Sequence, residues 1–175
     1  VLEIVHQLAG LRDDDDPVVV SSKLQSFLAT EEHADLIARR IEGLIGISEN
    51  PSSVEETFWA VRRFLEAGAR REPLIVVVDD IHWAEPTLLD LIEHVATGSS
   101  DVPLFLLTMA RPELLDIRAA WARSVPDATT INLEPITSDE SDELLRNLLG
   151  QTDLPTELKQ RINEAAEGTP LFVEE

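Results

Sequence analysis

Pro73-Leu74-Ile75-Val76-Val77-Val78-Asp79-Asp80-Ile81-His82-Trp83-Ala84-Glu85-Pro86 decides the fold of this chain. Five consecutive apolar residues, four of them β-branched, predict a strand buried on both faces, as in a parallel sheet. The run ends abruptly in two carboxylates. In open α/β sheets ligands bind outside the carboxyl ends of the strands, so these acids stand where a ligand would be met. Pro86 suits the first turn of a helix, which Leu88, Leu89, Leu91, Ile92 and Val95 continue.

Downstream, Gly98-Ser99-Ser100 makes a turn and Pro103-Leu104-Phe105-Leu106-Leu107-Thr108-Met109 reads as a second buried strand. Strand, helix and strand with short links predict a right-handed βαβ unit with parallel strands. Residues 113–123 read as a helix. Thr129-Thr130-Ile131-Asn132-Leu133 alternates and reads as a third, weaker strand nearer an edge. Upstream the spacing is helical throughout: Leu2, Val5 and Leu8, then Leu24, Phe27 and Leu28, then Ile37, Ile41 and Leu44. Pro51 is expected to break the chain before Ser53-Val54-Glu55-Glu56, a capping box opening a helix with Val54, Phe58, Val61 and Leu65 on one face. Phe58 and Trp59 read as core rather than as base-stacking aromatics. Arg70 and Arg71 suit a helix end. After Pro135 the pattern is again helical, from a second capping box at Thr137-Ser138-Asp139-Glu140 to the end.

Composition removes several classes. With 34 acidic against 14 basic residues and a net charge of −20, the chain is a poor match for a phosphate backbone, so no direct nucleic-acid contact is expected. It has no cysteine, hence neither disulfides nor thiolate metal sites. Asp13-Asp14-Asp15-Asp16 lacks the alternation and glycine turn of a calcium loop and reads as a solvated link between helices. His6, His33 and His94 share no ligand spacing with an acid. No apolar run reaches membrane-spanning length, so no membrane is expected as a partner and the simplest compartment is the cytoplasm.

A strand, an acidic pair and a helix together suggest a Walker B arrangement. Asp79, last on the strand, suits magnesium, which binds through one or two carboxylates plus nucleotide phosphates. Asp80 suits the polarisation of an attacking water. His82 either orients that water or senses the γ-phosphate, or else caps the loop and packs. Arg111, at the end of the second strand, is either a fixed cation beside a phosphate or the salt-bridge partner of Asp79 or Asp80. The usual companion, G-x-x-x-x-G-K-[ST], is missing: neither lysine, Lys23 or Lys159, follows a glycine. Alone, the chain is expected to bind nucleotide poorly and to hydrolyse none.

Three segments carry a resemblance: Val76 to Pro86, Leu107-Thr108-Met109-Ala110-Arg111-Pro112-Glu113, and Ala166-Glu167-Gly168-Thr169-Pro170-Leu171-Phe172-Val173-Glu174-Glu175. In that order they resemble the STAND branch of the AAA+ ATPases, most closely the ATPase modules of bacterial multidomain adenylate cyclases and large LuxR-type regulators. The resemblance implies ATP and Mg2+ as cofactors. It implies that Asp79 holds the metal through water, Asp80 prepares the water, Arg111 is the sensor-1 arginine and Pro170 lies near the adenine. Thr169 departs from the asparagine common in that element. The family's phosphate-binding loop lies upstream, so the chain reads as a fragment of a longer protein, starting at Val1 and stopping inside a helix. The expected fold is α/β: part of a P-loop NTPase parallel sheet flanked by helices, with a helical insertion and a C-terminal helical lid. Residues 1–50 would be the helical region, 51–135 the α/β core and 136–175 the truncated lid. The implied function is an ATP-driven signal-transduction switch acting on an attached output domain, with nucleotide-dependent oligomers as an option. The alternative is a non-hydrolysing regulatory or interaction module that kept the fold. A response-regulator receiver, which also has paired acids after a strand, is rejected because the next strand ends in Met109-Ala110-Arg111 and Lys159 sits in a helical stretch.

Overall fold

The computed structural model describes residues 1–48, 52–150 and 154–174. Pro51 and Glu175 lie outside the described residues. The chain divides into two compact units, Val1–Ala128 and Thr129–Glu175.

The first unit opens with three helices, α1 (Leu2–Ala9), α2 (Pro17–Phe27) and α3 (Ala34–Leu44). The acidic link between the first two is more than solvated: the Asp16 side chain accepts the Val19 amide and caps α2, and Asp15 pairs with Lys23 at 2.5 Å. Helix α4 (Val54–Arg71) starts at the expected capping box, in which Ser53 and Glu56 each accept the other's backbone N–H. Its apolar side packs Val61, Phe64 and Leu65 into one core with Leu24, Phe27, Ile37 and Ile41. Each such side chain, taken fully from water, stabilises the fold by about 1.5–3 kcal/mol. Phe58 and Trp59 pack against the same core, partly buried. Gly68 has a packing role, since a Cβ there would sit 3.3 Å from Leu8 and 3.5 Å from Leu74.

Strand β1 (Leu74–Val78), the 3-10 turn Ile81–Trp83, helix α5 (Pro86–Gly98) and strand β2 (Leu104–Thr108) follow. The strands pair in parallel, Leu74 opposite Leu104 through Val78 opposite Thr108, as the βαβ pattern requires. The mixed, helix-rich α/β class is thus seen in a sheet that, among the described residues, has two strands.

Three expectations are corrected. The sheet is not buried on both faces. Leu74, Val76, Val78, Leu104 and Leu106 pack on the helical core, whereas Ile75, Val77, Phe105 and Leu107 are exposed, at 66%, 53%, 59% and 41%. Period-two geometry sends neighbours to opposite faces, and among the described residues this unit supplies helices to one of them. Second, the helix expected over 113–123 is a single turn, α6 (Leu114–Ile117): Arg118 leaves the helical region at φ −137°, ψ +73°, and Ala122 adopts φ +58°. Third, residues 129–133 form no strand. Alternation marks a sequence that can line a sheet, but a strand exists only with a ladder partner, and Ile131 and Leu133 are exposed.

The second unit is helical: α7 (Ser138–Leu148), α8 (Thr156–Ala166) and α9 (Pro170–Glu174). Thr137 and Glu140 form the expected capping box at α7. Leu145, Ala166 and Val173 make a small core with Ile136, Leu144, Leu154 and Ile162. Gly168, at φ +76°, is fixed by close approach: its carbonyl accepts the Ile136 amide at 2.9 Å, and a Cβ would lie 2.6 Å from that of Pro135.

Candidate functional site

Helical cover on one side holds β1 and β2 side by side, so whatever follows their last residues is placed at one sheet edge. Beyond Val78 the main chain stays tied to β2: Met109 donates to Val78 O at 2.9 Å and Ile81 donates to Met109 O at 3.1 Å. Asp79 and Asp80 span the interval between those bonds. Asp79 Oδ1 accepts the Asp80 amide at 2.7 Å, and Asp80 itself sits in the left-handed region at φ +53°, ψ +34°. Aspartate tolerates that region better than most residues, yet a non-glycine held there is uncommon and clusters at functional sites. Both aspartates are exposed, and among the described residues neither is paired with a Lys or Arg.

Of the sequence-predicted residues, Asp79, Asp80, His82 and Arg111 are brought together at this edge. The imidazole of His82 is 4% exposed, with Nδ1 3.8 Å from Asp80 Oδ1 and accepting the Arg111 backbone N–H at 3.4 Å. Its burial places the ring on the inner side of the loop, against the Arg111 backbone. The side chain of Arg111 is exposed and makes no ion pair with Asp79 or Asp80 among the described residues, so the salt-bridge alternative is not realised. Pro170 belongs to the second unit, where it starts α9.

The donor set suits magnesium held through water: two adjacent carboxylates, unneutralised by any cation, leave most coordination positions for water and phosphate. Among the described residues no cluster of three or more His, Asp or Glu side chains could cage a metal. A phosphate cradle is not supplied, since no glycine precedes a lysine. On the covered face, a cavity of about 230 Å³ lined by Ile4, Phe64, Val76, Leu91 and Leu106 reaches Asp79. Trp83, next to the buried histidine, is 78% exposed.

Two features escaped the sequence. The first is the tie between His82 and the Arg111 amide, which no spacing announces. The second is a charge cluster away from the edge, built on two buried carboxylates: Glu66 takes Arg63 at 2.9 Å and Arg70 at 3.3 Å, and Glu31 takes the same two at 3.3 and 2.8 Å. Its signal was readable only in part, in the helical spacing of Arg62, Arg63, Glu66 and Arg70.

Comparison with known proteins adds two likenesses. A family described as a domain of unknown function (DUF8739) matches residues 137–175, which cover the helices of the second unit. An uncharacterized protein of Rhizobium meliloti (strain 1021) is 31% identical over 131 residues, covering 73% of this chain. The match takes in 12% of that protein, so the chain spans a small part of the relative's length. No solved structure matches the chain. No helix among the described residues is long and apolar enough to cross a membrane.

Proposed function

We propose that the chain is part of an ATP-binding and ATP-hydrolysing switch domain of the STAND branch of the AAA+ ATPases, acting on an attached output domain. The observation that carries the reading is the pair of exposed, uncompensated carboxylates at the end of β1, beside a second parallel strand whose end bears a free arginine. Uncompensated like charges held side by side repel, and a bound divalent cation relieves that repulsion. In this reading Asp79 holds magnesium through water and Asp80 accepts a proton from the attacking water. Arg111 turns its guanidinium to a phosphate oxygen, and Pro170 lies near the adenine. Magnesium would supply charge neutralisation at the phosphates. The phosphate cradle and further strands would come from elsewhere in a longer polypeptide, and the open apolar face of the sheet gives such elements an apolar surface to pack on. Nucleotide-dependent closure of a helical lid would pass the state onward in the cytoplasm.

The second reading is a regulatory or interaction module that retained the fold without hydrolysis, and the complete Asp79–Asp80 pair favours the ATPase over it. Magnesium-dependent ATP hydrolysis by this chain and by a longer polypeptide including a G-x-x-x-x-G-K-[ST] segment separates the two. Activity confined to the longer form, and abolished there by Asp80→Asn with nucleotide still bound, is expected. Silence in a folded longer form would sink the ATPase reading.

A further inference from the structure

The ladder between β1 and β2 runs on past the strands, through Met109 N–H to Val78 O and Ile81 N–H to Met109 O. The next donor on the β2 side, Arg111 N–H, meets a side chain, His82 Nδ1. To accept that bond Nδ1 must keep its lone pair, which places the proton of the neutral ring on Nε2. Nε2 is buried and, among the described residues, has no hydrogen-bond partner. A buried donor left unsatisfied is unusual enough to require an explanation, and here the orientation that strands Nε2 is the one that captures Arg111. The residue ahead of the turn, Asp80, adopts the left-handed conformation, so the turn presents His82 to the end of β2 from a sharply bent backbone.

We propose that His82 is a positioning residue: its Nδ1 holds the Arg111 amide and thereby sets the spacing between the Asp79–Asp80 turn and the arginine side chain. The ring acts through Arg111 and does not touch a ligand. The proposal rests on the nucleotide reading only for what that spacing serves.

The test uses the 175-residue chain with His82→Asn, His82→Gln and His82→Phe. Asparagine puts its Oδ1 near the place of Nδ1, glutamine puts its Oε1 near that of Nε2, and phenylalanine keeps the bulk without an acceptor. Amide hydrogen exchange at Arg111, read by NMR, is expected to stay near wild type in the Asn variant and to speed up about tenfold in the Gln and Phe variants. Equal exchange in all three overturns the proposal, because the ring then only fills space. The Asn and Gln variants differ chiefly in where the acceptor sits, so their contrast survives any general loosening. Mn2+ is then titrated while the Asp79 and Asp80 amides are watched for paramagnetic broadening. Weaker broadening in the Gln and Phe variants than in the Asn variant supports positioning of the acidic turn, and identical curves from variants that all take up Mn2+ overturn it. A wild-type chain that takes up no Mn2+ there would count against the nucleotide reading, while the exchange data still decide what His82 does.

Discussion

The first unit contains two groups of carboxylates and guanidinium side chains, and they are treated in opposite ways. Around Glu66 and Glu31, every charge is answered: both glutamates are under 10% exposed, and Arg63 and Arg70 each bridge the two. Ser99 adds its hydroxyl to Glu66 at 3.3 Å, joining the end of α5 to α4. At the end of β1 the same chemistry is left open, with two acids and an arginine that do not pair. Buried charge must be matched, so the first cluster is a fastening between α4 and the loop after α2. Exposed charge need not be matched, and among the described residues the carboxylates at the end of β1 make no ion pair with the neighbouring Arg111.

That contrast is broken most directly by removing an acid from each group. Glu66→Ala leaves Arg63 and Arg70 short of a buried counter-charge and is expected to destabilise the unit by about 2–4 kcal/mol. Asp79→Asn relieves a like-charge contact in a chain of net charge −20 and is expected to change stability by under about 0.5 kcal/mol. Urea titration followed by tryptophan fluorescence reads both, since Trp59, Trp83 and Trp121 all lie in the first unit. Comparable losses for the two variants would mean that the acids at the strand end are structural.

The open group is sharpened by a second set. Because Asp80 is left-handed, Asp80→Gly and Asp80→Asn should be tolerated, whereas Asp80→Ala should cost about 1 kcal/mol more than Asp80→Gly. The same urea midpoints check the order. If alanine is as stable as glycine, the turn relaxes freely, and Asp80 is not held for any purpose.

The open group was largely legible in the sequence, and the closed one was not. An apolar run that stops at two acids places them at a strand end by local pattern alone, and the β2 segment fixed Arg111 beside them by the same logic. Glu31 and Arg70 meet across a separation of 39 residues, which no local period reveals. The run Leu74–Val78 misled about cover, because its apolar residues say what each face would prefer and not what is there to pack on it. Thr129 to Leu133 misled in the same way, with alternation but no neighbour. His82 was ambiguous because a single ring beside an acid has no spacing to read; its burial settles only which side of the loop it occupies.

A smaller effect ties the closed cluster to pH. His94, on α5, is half-buried against Phe58 at 5.7 Å between ring centres, and its Nε2 has no partner among the described residues. Burial first, and then the nearby charge of Arg62, hold its pKa below the ordinary 6.5. Arg62 is itself anchored, donating to Gly98 O at 2.8 Å and lying 3.7 Å from Glu66, so its charge is a fixed part of the surroundings of His94. In the unfolded chain the ring titrates near about 6.5. Above that value both states carry it neutral, and the fold has its full stability. As pH falls through about 6.5 the unfolded chain takes the proton first, so stability declines until the depressed folded pKa is reached and then levels. Partial exposure screens the effect, which is therefore expected to be the smallest of these. An NMR titration of the His94 ring should give a midpoint under 6.5, and His94→Leu should flatten this part of the stability profile. A midpoint at or above 6.5 would mean that Arg62 and the apolar wall do not act on the ring, and that the closed cluster ends at Glu66.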